Sequence, residues 1–491
     1  MPTSRVETLL KWCAARDIVV DPRLSLLDNP DRGISIHCVT KDGNGYIAPN
    51  VTVVDIPRDS ILCVKNCTLA THISTPLTGV AAQMALALAL YTEIAQGARS
   101  KWDDYLQSLP PQLVDLPLFW DDGPFADDDG KKAALWLVGS GAAGPHCQGD
   151  AADMNDLRSW YDVAVRPLFT GHLGDLDGSV APTFEGFCAA YAHVSSRSFL
   201  VDCYHGLAMV PIADAFNHSS QSNVHLESDF DVCPECGSLG QCMHDSREGD
   251  RGPDDGQMAN GDTAVTFEMV TTQAVAAGAE VFNTYGALSN AELLVQYGFV
   301  LDVNEQDFVA WRSSDVLDLI RRQTGANLSL DHLLLLCADV CDALRKTGEL
   351  WESQLVGEPD DESFSSSRAN AFSVDVDGSL SSALWAAFAV AAILSEARVD
   401  EAVMVSSAMR IWELQKMYEM TDAVETIQKG DAVALQTIAL CAIELCAARR
   451  KELGRGLSTG DIGEVLDDLS LKRRTRLAVS LLFAVVNMTD R

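Results

Sequence analysis

Two short segments constrain this chain more than any other feature. Residues 214–219 read Asp-Ala-Phe-Asn-His-Ser and are followed by Ser222, Asn223 and Val224. Residues 282–286 read Phe-Asn-Thr-Tyr-Gly and run into Ser289, Asn290, Glu292, Leu293 and Leu294, then Tyr297, Gly298 and Phe299. An Asn-His pair with this sequel, and a Tyr-Gly pair with that one, are hard to assemble by chance. Between them, residues 227–262 are rich in Gly, Asp, Cys and Pro and have almost no hydrophobic periodicity. That stretch is predicted to be an insertion between two strands.

The rest of the chain divides by periodicity. Residues 6–16 have helical spacing, with Val6, Leu9, Leu10 and Cys13 on one face. Ile34, Ile36 and Cys38 alternate with Ser35 and His37, as a strand requires. Gly43-Asn44-Gly45 marks a tight turn, and residues 51–56 and 265–270 read as further strands. Residues 76–108 are mainly helical, and 154–169 and 183–193 follow suit. From Ser313 onward the pattern is helical, with apolar faces at 333–344, 383–394, 403–420, 435–453 and 476–488. A polar, Ser-rich loop at 357–379 divides this region.

At 491 residues the chain holds more than one domain of ordinary size, about 100–200 residues each. The apolar runs at 80–90 and 383–394 fall short of the roughly 20 residues a bilayer requires, so they read as buried helices. The N-terminus has no secretory pattern. Fourteen cysteines are scattered, several in apolar helical settings (Cys337, Cys341, Cys441, Cys446), which points to reduced thiols and to the cytoplasm or nucleus. A formal net charge of -34 disfavours nucleic acid as a direct partner, because phosphate contacts need Lys and Arg. The acidity either attracts basic protein partners, such as ribosomal proteins or histone tails, or serves solubility alone.

The two opening segments, together with Trp102, Tyr105, Leu106, Leu109 and Pro110 and the Pro117-Leu118-Phe119-Trp120 stretch, resemble the SET-domain protein-lysine methyltransferases. The branch is the one typified by the Rubisco large-subunit methyltransferase and including ribosomal lysine methyltransferases. The resemblance is dense from about 186 to 301 and thin in the C-terminal helices. It implies an α+β chain: a split SET β-fold over 1–302 with a helical insertion at about 76–195, then an α-helical substrate-binding domain over 303–491. It implies transfer of a methyl group from S-adenosylmethionine to a lysine of a basic protein. Two other readings stay open: a SET-derived scaffold without turnover, and methylation of another side chain such as histidine.

Residue by residue, the resemblance implies that Tyr285 is the catalytic phenol. Asn217, His218 and the segment Arg32, Gly33, Ile34 would contact the cofactor, although the family usually has a glycine where this chain has Asp31. Arg197, Asp214 and Tyr297 would line the substrate entrance and lysine channel. The chemistry is an in-line displacement with a built-in leaving group, so positioning and a neutral amine are what the protein must supply.

One local feature lies outside the resemblance. Cys233, Cys236, Cys242 and His244 have the ligand types and separations of a tetrahedral Cys3His zinc site, with His225 as a spare ligand. The alternative is a loop with incidental cysteines. Such an ion would be structural.

Overall fold

Ile34 and Ile36 alternate with polar neighbours, and the chain uses that alternation to build strand Gly33–Cys38, antiparallel to Leu24–Asn29 with Gly33 opposite Asn29. This is seen in a computed structural model that describes residues 4–29, 33–39, 45–142, 152–173, 181–228, 232–239, 242–244, 266–346, 372–396, 401–420 and 429–490. Residues 43 and 44 of the expected turn and the predicted site residue Arg32 lie outside those residues.

The chain divides into two compact units, Met1–Phe125 with Asp150–Tyr285, and Ala126–Gly149 with Gly286–Arg491. This differs from the expected boundary at 302. Residues 126–149 leave the helical insertion because their partners lie near the C-terminus. The Asp129 carboxylate accepts from the Arg474 N–H (3.1 Å) and the Thr475 hydroxyl (2.6 Å), and the Gly139 carbonyl accepts from Arg449 (3.3 Å).

In the first unit, the free edge of strand Gly33–Cys38 takes up residues 278–281. The Cys38 N–H donates to the Ala279 carbonyl and the Val281 N–H to the Ile36 carbonyl, at 2.9 and 2.7 Å. This lays down the segment that continues into Phe282–Asn283, which pairs in parallel with Asn217–His218. A four-stranded antiparallel sheet runs in the order Val19–Val20, Thr52–Pro57, Thr266–Thr271, Val224–Glu227. A smaller sheet places Gly206–Met209 between Leu62–Cys63 and Ser198–Asp202. Helix Gly79–Gln96 is apolar on all sides, and Ala82 to Glu93 are all buried, as a core helix should be. It packs on helix Phe184–Arg197, whose last residue is the predicted site residue Arg197.

The second unit is mainly helical, with long helices Leu330–Lys346, Ser382–Glu396, Glu401–Met420, Lys429–Glu452 and Arg473–Thr489. It also contains a ribbon that helical periodicity does not foresee: Phe308–Trp311 pairs antiparallel with Phe372–Asp375, inside the stretch expected to be a polar loop. Within helix residues 430–452 an 18-residue window has a mean hydropathy of 1.6, and the helix is long and apolar enough to cross a membrane by length and composition. It is longer than the apolar runs at 80–90 and 383–394. In this unit the helix buries Ala434, Ile438, Cys441 and Leu445 and packs on Ser382–Glu396.

Candidate active site

Ile212 sets the direction of the site. It is fully buried and has a φ of +70°, a left-handed conformation that costs a β-branched residue about 1–3 kcal/mol. The turn is held by the Asp214 N–H on the Val210 carbonyl (3.1 Å) and the Ala215 N–H on the Ile212 carbonyl (3.0 Å). From it the chain runs straight into Asp214, Phe216, Asn217 and His218.

Asn223, quoted above only as part of a motif, turns out to be a clamp. Its side-chain oxygen accepts from the Phe282 N–H and its own N–H donates to the Phe282 carbonyl, both at 2.9 Å. This secures the parallel pairing and brings Tyr285 beside His218. The Tyr285 N–H donates to His218 Nδ1 (3.1 Å), the two rings lie 5.1 Å apart, and the Tyr285 hydroxyl donates to the Phe216 carbonyl (3.2 Å). Burial lowers His218 to about 4, so its Nδ1 stays an acceptor at neutral pH. Burial pushes the Tyr285 phenol up to about 12; Arg197 pulls it down, while Asp214 and Glu280 add to the rise.

Arg197 and Asp214 meet. Arg197 Nη1 donates to the Asp214 carbonyl at 2.8 Å and lies 3.9 Å from Asp214 Oδ2. The same carboxyl oxygen accepts from the Tyr105 hydroxyl at 2.9 Å. Burial raises Asp214 above the usual carboxylate range, against Arg197 and Tyr105, which lower it. Gly33 closes this corner. It has a φ of +81°, and a Cβ there would sit 3.1 Å from Pro110 Cγ and 3.5 Å from Arg197 Nη2. Ile34, next along, is a buried strand residue. Arg197 Nε and His193 Nδ1 are buried with no hydrogen-bond partner among the described residues. Burial, with Arg197 adding to it, drops His193 to about 3.

Tyr285, Asn217, His218, Arg197, Asp214 and Gly33 therefore all belong to the first unit. Asn217 donates from Nδ2 to Glu280 Oε1 at 2.6 Å. Tyr297 belongs to the second unit. It ends helix Asn290–Tyr297, with its ring 6.4 Å from that of Phe299. In that helix the Ser-Asn-x-Glu stretch is structural. Ser289 and Glu292 form a capping box, and Asn290 donates to Asp307 and to the Leu301 carbonyl.

Sequence reasoning passed over Tyr105, Glu280 and His193. Tyr105 is visible in the sequence only as a motif letter, and Glu280 carries no functional signal there. His193 carried no signal.

Cys233, Cys236, Cys242 and His244 are brought together, with their ligand atoms all within 4.8 Å of one another. His225 is not among them; its Nε2 lies 3.2 Å from Glu227 in the strand Val224–Glu227.

No family model matches the chain. It is similar to ribosomal lysine N-methyltransferase 3 of Saccharomyces cerevisiae, 33% identical over 169 residues, covering 26% of this chain and 30% of that protein. It is also similar to N-lysine methyltransferase SETD6 of Rattus norvegicus, 24% identical over 307 residues, 60% of this chain and 54% of that one. The chain spans about half or less of the length of these curated relatives. Among solved structures, the SET domain of LSMT bound to lysine and AdoHcy matches with a TM-score of 0.57 at 14% identity, covering 99% of this chain and 89% of that one. Rubisco LSMT bound to AdoMet matches with a TM-score of 0.55 at 13% identity, covering 99% and 90%. The fold is α+β and of the SET type.

Proposed function

We propose that this chain, whose fold is of the SET type, is a protein-lysine methyltransferase of the Rubisco large-subunit methyltransferase class and transfers a methyl group from S-adenosylmethionine to a protein lysine. The observation that carries this reading is the Tyr285 phenol, oriented by the Phe216 carbonyl and fixed at its backbone by His218.

The residues present fit a cofactor with an amino-acid end. Gly33 leaves open the space a side chain would fill against Arg197, and Arg197 keeps a buried Nε–H without an acceptor among the described residues. Arg197 and the Gly33–Ile34 backbone would hold the carboxylate end, with Asn217 and His218 at other polar edges. The bound sulfonium supplies an electrophilic methyl and its own leaving group. Tyr285 stays protonated at every working pH, since its phenol titrates near 12. Its role is orientation and electrostatic stabilisation through the phenol oxygen, not proton abstraction. A buried surround disfavours an ammonium and so favours the neutral amine. Asp214, held by Tyr105 and Arg197, fixes the wall of the site. The Cys233, Cys236, Cys242 and His244 cluster has no part in this step, because displacement from a sulfonium needs no Lewis acid.

The net charge of -34 supports a basic protein as substrate, and the name of the yeast relative supports a ribosomal one. The second unit would recruit that protein. Among the described residues thirteen cysteines are free, which supports a reducing compartment, cytoplasm or nucleus.

The test is transfer of labelled methyl into a cell extract, with identification of the modified residue. We expect label on lysine. Tyr285→Phe should cut turnover about 100-fold or more while changing cofactor affinity less than about threefold, because the phenol acts mainly at the transition state. No binding of S-adenosylmethionine by calorimetry would leave only a scaffold, and label on histidine would move the activity to another side chain.

A further inference from the structure

A part of the first unit that methyl transfer does not use has the geometry of a metal site. Cys233 Sγ and Cys242 Sγ each lie 3.6 Å from His244 Nδ1. Four ligands around one zinc, with sulfur at about 2.3 Å and nitrogen at about 2.0–2.1 Å, sit about 3.5–3.8 Å from one another. Both distances fall in that range, and the 4.8 Å limit on the whole group leaves only small side-chain rotations to complete the set.

The backbone is shaped for it. The Gly237 N–H donates to the Cys233 carbonyl (2.7 Å), and the Cys233 N–H donates to the Ser238 carbonyl (2.8 Å). Gly237 has a φ of +73°, which closes the turn and turns Cys233 and Cys236 toward one side. The backbone N–H groups of Cys236 and Glu235 hydrogen-bond the Cys233 sulfur. Three sulfurs and one imidazole select a soft, tetrahedral ion over magnesium or calcium. Four protein ligands leave no open position, which is the pattern of a structural site.

The knuckle also has a seat. A Cβ at Gly237 would lie 2.7 Å from Tyr204 Cδ1, so the turn rests directly on the Tyr204 ring. Lys65 Nζ lies 4.0 Å from the centroid of that ring and donates to the Pro234 carbonyl at 3.2 Å. The Cys203 thiol donates to the Val232 carbonyl at 2.9 Å. Cys203 and Tyr204 form the tip of the 198–209 hairpin. Buried Asp202 braces that tip, accepting from the backbone N–H groups of Tyr204 (2.9 Å) and His205 (2.6 Å), with His205 Nδ1 at 2.7 Å and Arg58 at 3.2 Å. Among the described knuckle residues only Val232 is a buried hydrophobic, so packing supplies little of the free energy of ordering.

We propose that Cys233, Cys236, Cys242 and His244 bind one structural zinc ion, and that the loaded knuckle is clamped by Lys65, Tyr204 and Cys203 to the tip of the 198–209 hairpin. The base of the same hairpin carries Arg197 and leads to Asp214. Below the tip the hairpin is held by the strand pairing of Gly206–Met209 with Ser198–Asp202 and Leu62–Cys63, which does not involve the ion, so the ion adds to Asp202 at the tip and does not reach the transfer site. This proposal stands or falls on metal content and does not depend on the methyl-transfer reading.

The full chain, purified without chelator, should contain one zinc per molecule by elemental analysis. Cys236→Ser and His244→Ala should lose it, and Cys446→Ser should keep it. Replacement by cobalt should give the visible bands of a tetrahedral thiolate site. Stripping the metal should speed amide exchange at 202–206 and 232–239 about tenfold or more, and leave 217–218 and 282–285 unchanged. Lys65→Met should keep the zinc while loosening 232–239, separating clamp from ion. Zinc below about a tenth per chain, with no uptake on addition, overturns the site. Full zinc in Cys236→Ser overturns the ligand set. Unchanged exchange at 202–206 after stripping overturns the clamp.

Discussion

A histidine buried without a partner on one ring nitrogen makes acid sensitivity a property of single residues. His193 is held near 3 and His218 near 4, both by burial, below the ordinary value of about 6.5. As pH falls below about 6.5 the unfolded chain takes up protons first, so the folded state loses stability from there down to about 3–4. Above 6.5 this contribution is fully present. Asp214, raised by burial, works in the opposite direction, so a substitution at His193 is needed to isolate the histidine. We expect denaturant midpoints to drop between pH 7.5 and pH 5, and to drop less in His193→Leu. Equal slopes in the two proteins would mean that His193 is protonated alike in both states. None of this was legible in the sequence. Tyr285, Asn217 and His218 stood out because their neighbours in the chain form a motif. Tyr105 with Asp214 and Asn217 with Glu280 meet across 109 and 63 residues, and no local pattern encodes such a meeting.

Two helices locate Arg197, and one missing side chain lets them do so. Gly186 lies in helix Phe184–Arg197, where a Cβ would come 2.7 Å from the ring and hydroxyl of Tyr91 on helix Gly79–Gln96. Tyr91 cannot swing away, because its hydroxyl accepts from the Thr183 N–H (2.8 Å) and its ring stacks on Phe169 at 4.9 Å. Alanine would gain about 1 kcal/mol of helix propensity over glycine. The steric conflict, about 1–3 kcal/mol for an overfilled site, outweighs it. Gly186→Ala should therefore lower stability by about 1–2 kcal/mol, read as a lower thermal midpoint; a rise would show that Tyr91 is free to move. Elements of this kind were legible wherever periodicity is local. The strand at 33–38, the buried helix at 80–90 and the apolar helix at 383–394 all stand where alternation or 3.6-residue spacing puts them. The ribbon of Phe308–Trp311 with Phe372–Asp375 was not legible, because each half has only four residues and its partner lies some sixty positions away.

At the scale of the whole molecule, the division at Tyr285 rather than at 302 has a direct test. A chain ending at residue 302 keeps Asp129 and Gly139 but loses Arg474, Thr475 and Arg449, which satisfy them. Buried groups left without partners cost about 1–3 kcal/mol each. It also uncovers Ala133 and Leu137. We expect that chain to aggregate in size-exclusion chromatography, and the same chain with 126–149 replaced by a short flexible linker to run as a monomer. Monodisperse behaviour of the unmodified truncation would place 126–149 with the first unit after all.

The excursion of 126–149 also orders events in time. Asp129 and Thr475 are 346 residues apart in the chain, and a ribosome adding about 5–20 residues per second needs about 17–70 s to cover that distance. During this interval the segment has left the ribosome and its partners do not yet exist. If the first unit closes in this interval, it closes around a loop that belongs elsewhere. Until residues 473–489 are made, Ala133 and Leu137 lack the helix that covers them and are open to any chaperone that binds apolar segments.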